Sequence, residues 1–135
     1  MTPTQRTLAL LREKGYLCGI VEKWNPHAKI RQDLFGFIAI VALNPGIGIV
    51  GVQTTSGSNM SPRQQKITSS EEARDWSEAG GNIWLIGWRK VGARGKRKLW
   101  APRIVEFQYM TGEGGRGERP EDGGWAVSEI EEAML

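Results

Sequence analysis

Cysteine is nearly absent from this chain of 135 residues, which holds only Cys18. That excludes an intramolecular disulfide framework and fits a reducing compartment. Histidine is as scarce: His27, beside Pro26, is the only one, and a lone histidine cannot define a metal site, so its role is at most a phosphate contact. No apolar run approaches the roughly 20 residues needed to cross a bilayer. The start, Met1-Thr2-Pro3-Thr4-Gln5-Arg6, lacks the apolar core of a secretory signal. Internal repeats are also missing. A length near the common size of one domain predicts a single compact unit with a core of its own.

What is present is unevenly distributed. The formal net charge is only +3, yet Arg89, Lys90, Arg94, Lys96, Arg97 and Lys98 crowd into ten residues loosened by Gly92 and Gly95, while Glu129, Glu131 and Glu132 collect near the carboxyl end. A basic, glycine-loosened loop can follow a phosphate backbone, gaining affinity as counterions are released. The same loop also reads as a solvated hairpin tip.

Along the chain, Thr2-Pro3-Thr4-Gln5 is a capping box with proline in the first turn, and Gly15 is a stop, so a short helix carries Leu8, Leu10 and Leu11. A strand is expected over 16–22 and a polar loop over 23–31. Apolar runs at 37–43 and 49–55 around Asn44-Pro45-Gly46-Ile47 predict a hairpin. Its turn sets Ala39 opposite Val52 or Gln53, and a one-residue slip would flip the faces. Helices are expected from Pro62 to Ile67 and from Ser69 or Ser70 to Ala79, and strands over 83–88 and 99–109. The reading is an α/β domain over 1–110, in the order α-β-β-β-α-β-β, with a mixed sheet flanked by helices. A flexible glycine-rich segment over 111–124 and a carboxyl-terminal helix over 125–135 complete it.

The hairpin resembles the PD-(D/E)XK nuclease superfamily, in which a strand bearing an Asp precedes a strand bearing Glu or Gln, any residue, then Lys. Phe37-Ile38-Ala39-Ile40-Val41-Ala42-Leu43 matches the first strand, with Ala39 at the Asp position. Gly51-Val52-Gln53-Thr54-Thr55 matches the second, with Gln53 at the Glu/Gln position and Thr55 at the Lys position. The arrangement is most similar to the Holliday-junction resolvases of archaea and phages. The resemblance covers roughly residues 3 to 90 and is sharp only at the hairpin. It implies a restriction-endonuclease-like fold and hydrolysis of phosphodiesters with Mg²⁺ or Mn²⁺. By analogy it also implies a four-way DNA junction as substrate, a symmetric dimer, and the cytoplasm of a bacterium, archaeon or phage-infected host. Ala39 and Thr55 depart from the pattern. Ala39 is therefore expected to be an Asp→Ala change that leaves an otherwise competent deoxyribonuclease inactive. The alternatives are a non-catalytic, DNA-binding member of the fold and a phage nicking or end-trimming nuclease.

The residue roles follow. Asp33, just before Leu-Phe-Gly-Phe-Ile, is expected near the sheet edge as a metal ligand, or as an ordinary cap. The resemblance would let Glu22 join it, unless Glu22 only pairs with Lys23 or Lys29. Gln53 is costly in an apolar strand if unpaired, so it is either a site residue or a hydrogen-bonded structural one. Lys66 or Arg63, on the next helix, can supply the charge that Thr55 lacks. Lys29, Arg31, Arg63 and the basic loop are the expected DNA contacts. Trp24, in its polar loop, is the tryptophan best suited to stacking on a base.

Overall fold

The computed structural model describes residues 1–92, 94–110 and 124–135. Helix α1 (Pro3–Glu13) starts at the capping box: the Thr2 hydroxyl accepts from the Gln5 N–H, and the Gln5 side-chain oxygen accepts from the Thr2 N–H, both at 3.2 Å. It ends in a Schellman turn, in which Gly15 at φ +90° donates to the Arg12 carbonyl and Tyr16 to that of Leu11. Strand β1 (Leu17–Ile20), a small ribbon of β2 (Lys23–Asn25) and β3 (Ile30–Gln32), and strands β4 (Ile40–Asn44) and β5 (Gly48–Ser56) follow. A 3-10 turn at Gly57–Asn59 leads to helices α2 (Met60–Thr68) and α3 (Glu71–Glu78), then strands β6 (Asn82–Val91), β7 (Leu99–Tyr109) and β8 (Trp125–Ile130).

Six strands form one mixed sheet in the order β1-β4-β5-β6-β7-β8. Among the described strands only β5 and β6 run parallel, and a parallel pair needs a long crossover, which α2 and α3 supply. Alternate residues of the central strands feed two cores. Leu8, Leu10 and Leu11 of α1 pack with Val50, Val52, Trp84, Ile86 and Ile104 on one face. On the other, Met60, Ile67 and Ala73 of α2 and α3 pack with Ile83, Leu85, Val105 and Phe107. The mixed sheet flanked by helices is therefore as expected from the sequence. No helix among the described residues is long and apolar enough to cross a membrane.

Three expectations need correction. The loop over 23–31 is a ribbon, whose turn is held by the Asn25 side-chain oxygen accepting from the His27 and Ala28 N–H groups at 3.0 and 3.1 Å. The strand expected over 37–43 begins only at Ile40. Ala39 sits at a bend, although its N–H donates to the Val52 carbonyl and its carbonyl accepts from the Val21 N–H. Residues 125–135 are not a helix: 125–130 form β8, paired along β7 from Tyr109↔Trp125 to Ile104↔Ile130, followed by a 3-10 turn at Glu132–Met134. The free edge of β7 offers a row of backbone partners, whereas a helix this short is marginal alone. The glycine-rich segment expected over 111–124 lies outside the described residues except for Gly124, whose carbonyl accepts from the Met110 N–H at 2.6 Å.

Candidate nucleic-acid interface

The residues singled out around the hairpin meet at one cleft of about 910 Å³. Glu22, Arg31, Asp33, Ala39, Gln53, Thr55, Arg63 and Lys66 all line it, together with the first turn of α1 from Thr2 to Gln5. They arrive from separate parts of the chain, Glu22 and Arg31 from the β2–β3 ribbon and its approach. Strand β5 and Ala39 just before β4 supply the floor, the segment after β3 brings Asp33, α2 carries Arg63 and Lys66, and the helix start closes one wall.

Gln53 is the centre of the floor and is buried. Its side-chain nitrogen donates to Asp33 Oδ2 at 2.7 Å and to the Phe37 carbonyl at 3.0 Å, and its oxygen accepts from the Thr54 N–H at 3.0 Å. Two acceptors on one side and a donor on the other fix how the amide points. The same Asp33 oxygen faces the Lys66 ammonium at 3.9 Å; the Asp33 side chain is only 12% exposed, against 50% for Lys66. Thr55, at the position where the resembled motif has lysine, lines the cleft without a charge, and Lys66 brings one from α2. Glu22 is held by Arg31 at 3.0 Å, and not by Lys23 or Lys29.

Ala39 lies on the same cleft and is 1% exposed. The fit to a resident Mg²⁺ or Mn²⁺ can be tested on these residues. Hard cations take several oxygen ligands. Here the Gln53 oxygen is taken by a backbone N–H, Asp33 faces an amide and an ammonium, Glu22 is paired with Arg31, and Ala39 offers no side-chain oxygen. Among the described residues no group of three or more His, Cys, Asp or Glu can hold a metal ion. The donor set of this chain does not fit such an ion.

The rim has a different character. Arg31, Arg63 and Lys66 border the cleft. The start of α1 points its dipole there, which favours anions. The basic arm between β6 and β7 leaves the sheet at the same end, since Ser56 at the end of β5 pairs with Trp88 just before Arg89 and Lys90. Its base is tied to α1 by Trp100, whose ring carries the Arg6 guanidinium at 4.2 Å and the Lys90 ammonium at 5.4 Å. Arg89, Lys90, Arg94, Lys96, Arg97 and Lys98 are all exposed. Lys29 and Trp24 stand on the β2–β3 ribbon, also exposed and outside the cleft lining.

One wall of the cleft and one buried fastening behind it carry no local sequence signal. The capping box marks Thr2–Gln5 as a helix start, but no local pattern says that this start will wall the cleft. Thr7, reading as a helical polar residue, is fully buried; its hydroxyl meets the Thr54 hydroxyl at 2.9 Å and accepts from the Trp88 indole at 2.9 Å. No family model, curated protein or solved structure matches the chain.

Proposed function

We propose that this protein binds DNA by its phosphate backbone, along the cationic rim of the cleft and the β6–β7 arm, as a nuclease-like fold that lacks one carboxylate of a cutting site. The observation that carries the reading is the convergence of Asp33, Ala39, Gln53, Thr55 and Lys66 on one cleft bordered by Arg31 and Arg63. Exposed cations that neutralise phosphates give affinity that is independent of sequence and falls with salt. The chain as it stands binds and does not cut.

A carboxylate at position 39 would add an acid to the cleft that Asp33 also lines and yield a metal-dependent endonuclease. The preferred substrate is a branched DNA such as a four-way junction. Cutting both strands of a junction calls for two sites related by a two-fold axis, so the proposal includes a homodimer.

The test is binding and cleavage of labelled four-way junctions and matched duplexes by the chain and by Ala39→Asp, with Mg²⁺ and with chelator. Both forms are expected to bind, and only Ala39→Asp to nick, with Mg²⁺ alone. An independent readout is thermal: a carboxylate placed at a site 1% exposed should lower the melting temperature, and Mg²⁺ should restore it by binding the folded state. Binding without cutting by either form would leave the non-catalytic DNA-binding reading standing alone. Failure of either form to bind DNA would remove the proposal.

A further inference from the structure

The β2–β3 ribbon plays no part in the six-stranded sheet: among the described residues its strands pair only with each other. Its base is nevertheless clamped to the cleft. Val21, just before it, donates to the Ala39 carbonyl at 2.9 Å, and Leu34, just after it, donates to the Ile38 carbonyl at 2.8 Å. Val21 and Leu34 also pack against the core on the α2 and α3 side. The ribbon therefore projects from the floor of the cleft with its base fixed, and β3 lines the cleft from Ile30 to Gln32.

What it presents is an aromatic ring among cations. Trp24 is 59% exposed and lies directly opposite Arg31 in the ribbon's register, so the two share a face. Arg31 is turned toward Glu22, while Lys23 and Lys29 are exposed on the same ribbon. A tryptophan left this open on a short two-stranded element contributes nothing to either core. Its flat face beside a guanidinium matches the stacking platforms that hold bases outside a duplex, where aromatic and arginine planes take a base of any sequence. A paired base inside a duplex offers no free face to such a ring.

We infer that Trp24 is a stacking platform for an unpaired nucleobase, and that the cleft accordingly prefers DNA in which unpaired bases adjoin a duplex, as at a gap or branch point. This rests on the reading of the cleft as a DNA-binding site.

The test uses the full chain and two probes of equal length, a matched duplex and the same duplex with a short single-stranded gap, the latter also carrying 2-aminopurine in the gap. Binding is followed by fluorescence anisotropy. The gapped probe is expected to bind roughly ten-fold tighter than the duplex, with 2-aminopurine emission quenched on binding. Trp24→Ala should bring gapped affinity down to the duplex level and abolish the quenching, while Trp24→Phe should keep most of both. Equal affinity for the two probes, or a preference that survives Trp24→Ala, would overturn this inference and leave the cleft reading intact. Absence of binding to either probe would overturn both. A change in sedimentation on Trp24→Ala with unaltered DNA binding would make the ring a protein contact and overturn it too.

Discussion

Gln53 and Thr54 are neighbours on β5, yet they serve two polar networks that differ in almost every respect. Thr54 points to the α1 face, where its hydroxyl, the Thr7 hydroxyl and the Trp88 indole close a buried and neutral set of hydrogen bonds. Gln53 joins Asp33 and Lys66 on the cleft, where the set is charged and ends at a half-exposed ammonium. A closed neutral network adds stability and fixes how α1 sits on the sheet. The open charged one has capacity left over for an anion, because Lys66 is held at 3.9 Å by a single carboxylate oxygen. The pleat of one strand thus sends one side chain to a fastening and its neighbour to the site, although Thr54 also borders the cleft and its N–H donates to the Gln53 oxygen.

The strongest way to break the comparison is on the closed side. Thr7→Val keeps the shape and removes the hydroxyl, leaving the Trp88 N–H and the Thr54 hydroxyl without their buried partner. Leaving such groups unmade should cost about 2 kcal/mol. Urea denaturation should show the loss with an unchanged slope, while DNA binding of the folded fraction stays as it was. A loss of DNA affinity without loss of stability would merge the two networks into one.

A second change on the same face should act in the opposite direction. Tyr16 is buried against Trp84, with ring centroids 5.8 Å apart, and its hydroxyl has no hydrogen-bond partner among the described residues. Tyr16→Phe should stabilise the fold by about 1 kcal/mol, since it removes an unpaired buried oxygen. Burial also raises the phenol above its ordinary value of 10.0. The unfolded chain therefore gives up this proton first, so stability should fall as pH rises above about 10. Comparing melting temperatures of Tyr16→Phe and the parent chain from pH 8 to 11 checks both effects, and an alkaline loss of equal size in the two would refute the assignment.

The sequence is informative about these regions to different degrees, for physical reasons. The hairpin was legible because Asn44-Pro45-Gly46 and its flanking apolar runs encode turn and strands locally, and the turn is closed by the Asn44 side-chain oxygen accepting from the Gly46 N–H at 2.9 Å. Register was legible only to within one residue, and the pairing Ile40↔Val52 is what decides it. The need of Gln53 for a partner could be read from its apolar strand, but its choice of Asp33 and the Phe37 carbonyl rests on the tight turn over 33–38, with Phe35 and Gly36 at positive φ, which no periodicity marks. The tail was misread because the pattern of Trp125, Val127 and Ile130 suits a helix or a strand, and the free edge of β7 decides between them. Thr7 escaped notice since its partners lie 47 and 81 residues away.

On the open side, smaller changes in stability should accompany larger changes in binding. Asp33→Ala removes one of the two acceptors of the Gln53 amide and leaves the Phe37 carbonyl in place, so the loss should be about 1 kcal/mol or less. It also removes a negative charge from a cleft bordered by Arg31, Arg63 and Lys66. DNA affinity at low salt should therefore rise a few-fold, measured by anisotropy, and a fall would mean that Asp33 itself positions the ligand.

The smallest effect on stability is expected from Lys66→Gln. Its ion pair with Asp33 is long and its side chain is 50% exposed, and such pairs are worth roughly 0–1 kcal/mol. The melting temperature should barely move. If Lys66 neutralises one phosphate, however, the slope of log affinity against log salt should become shallower by about 0.9. An unchanged slope with reduced affinity would indicate that Lys66 acts by holding Asp33 in place. A lower melting temperature with unchanged binding would turn the open network into a second fastening, and the contrast between Gln53 and Thr54 would disappear.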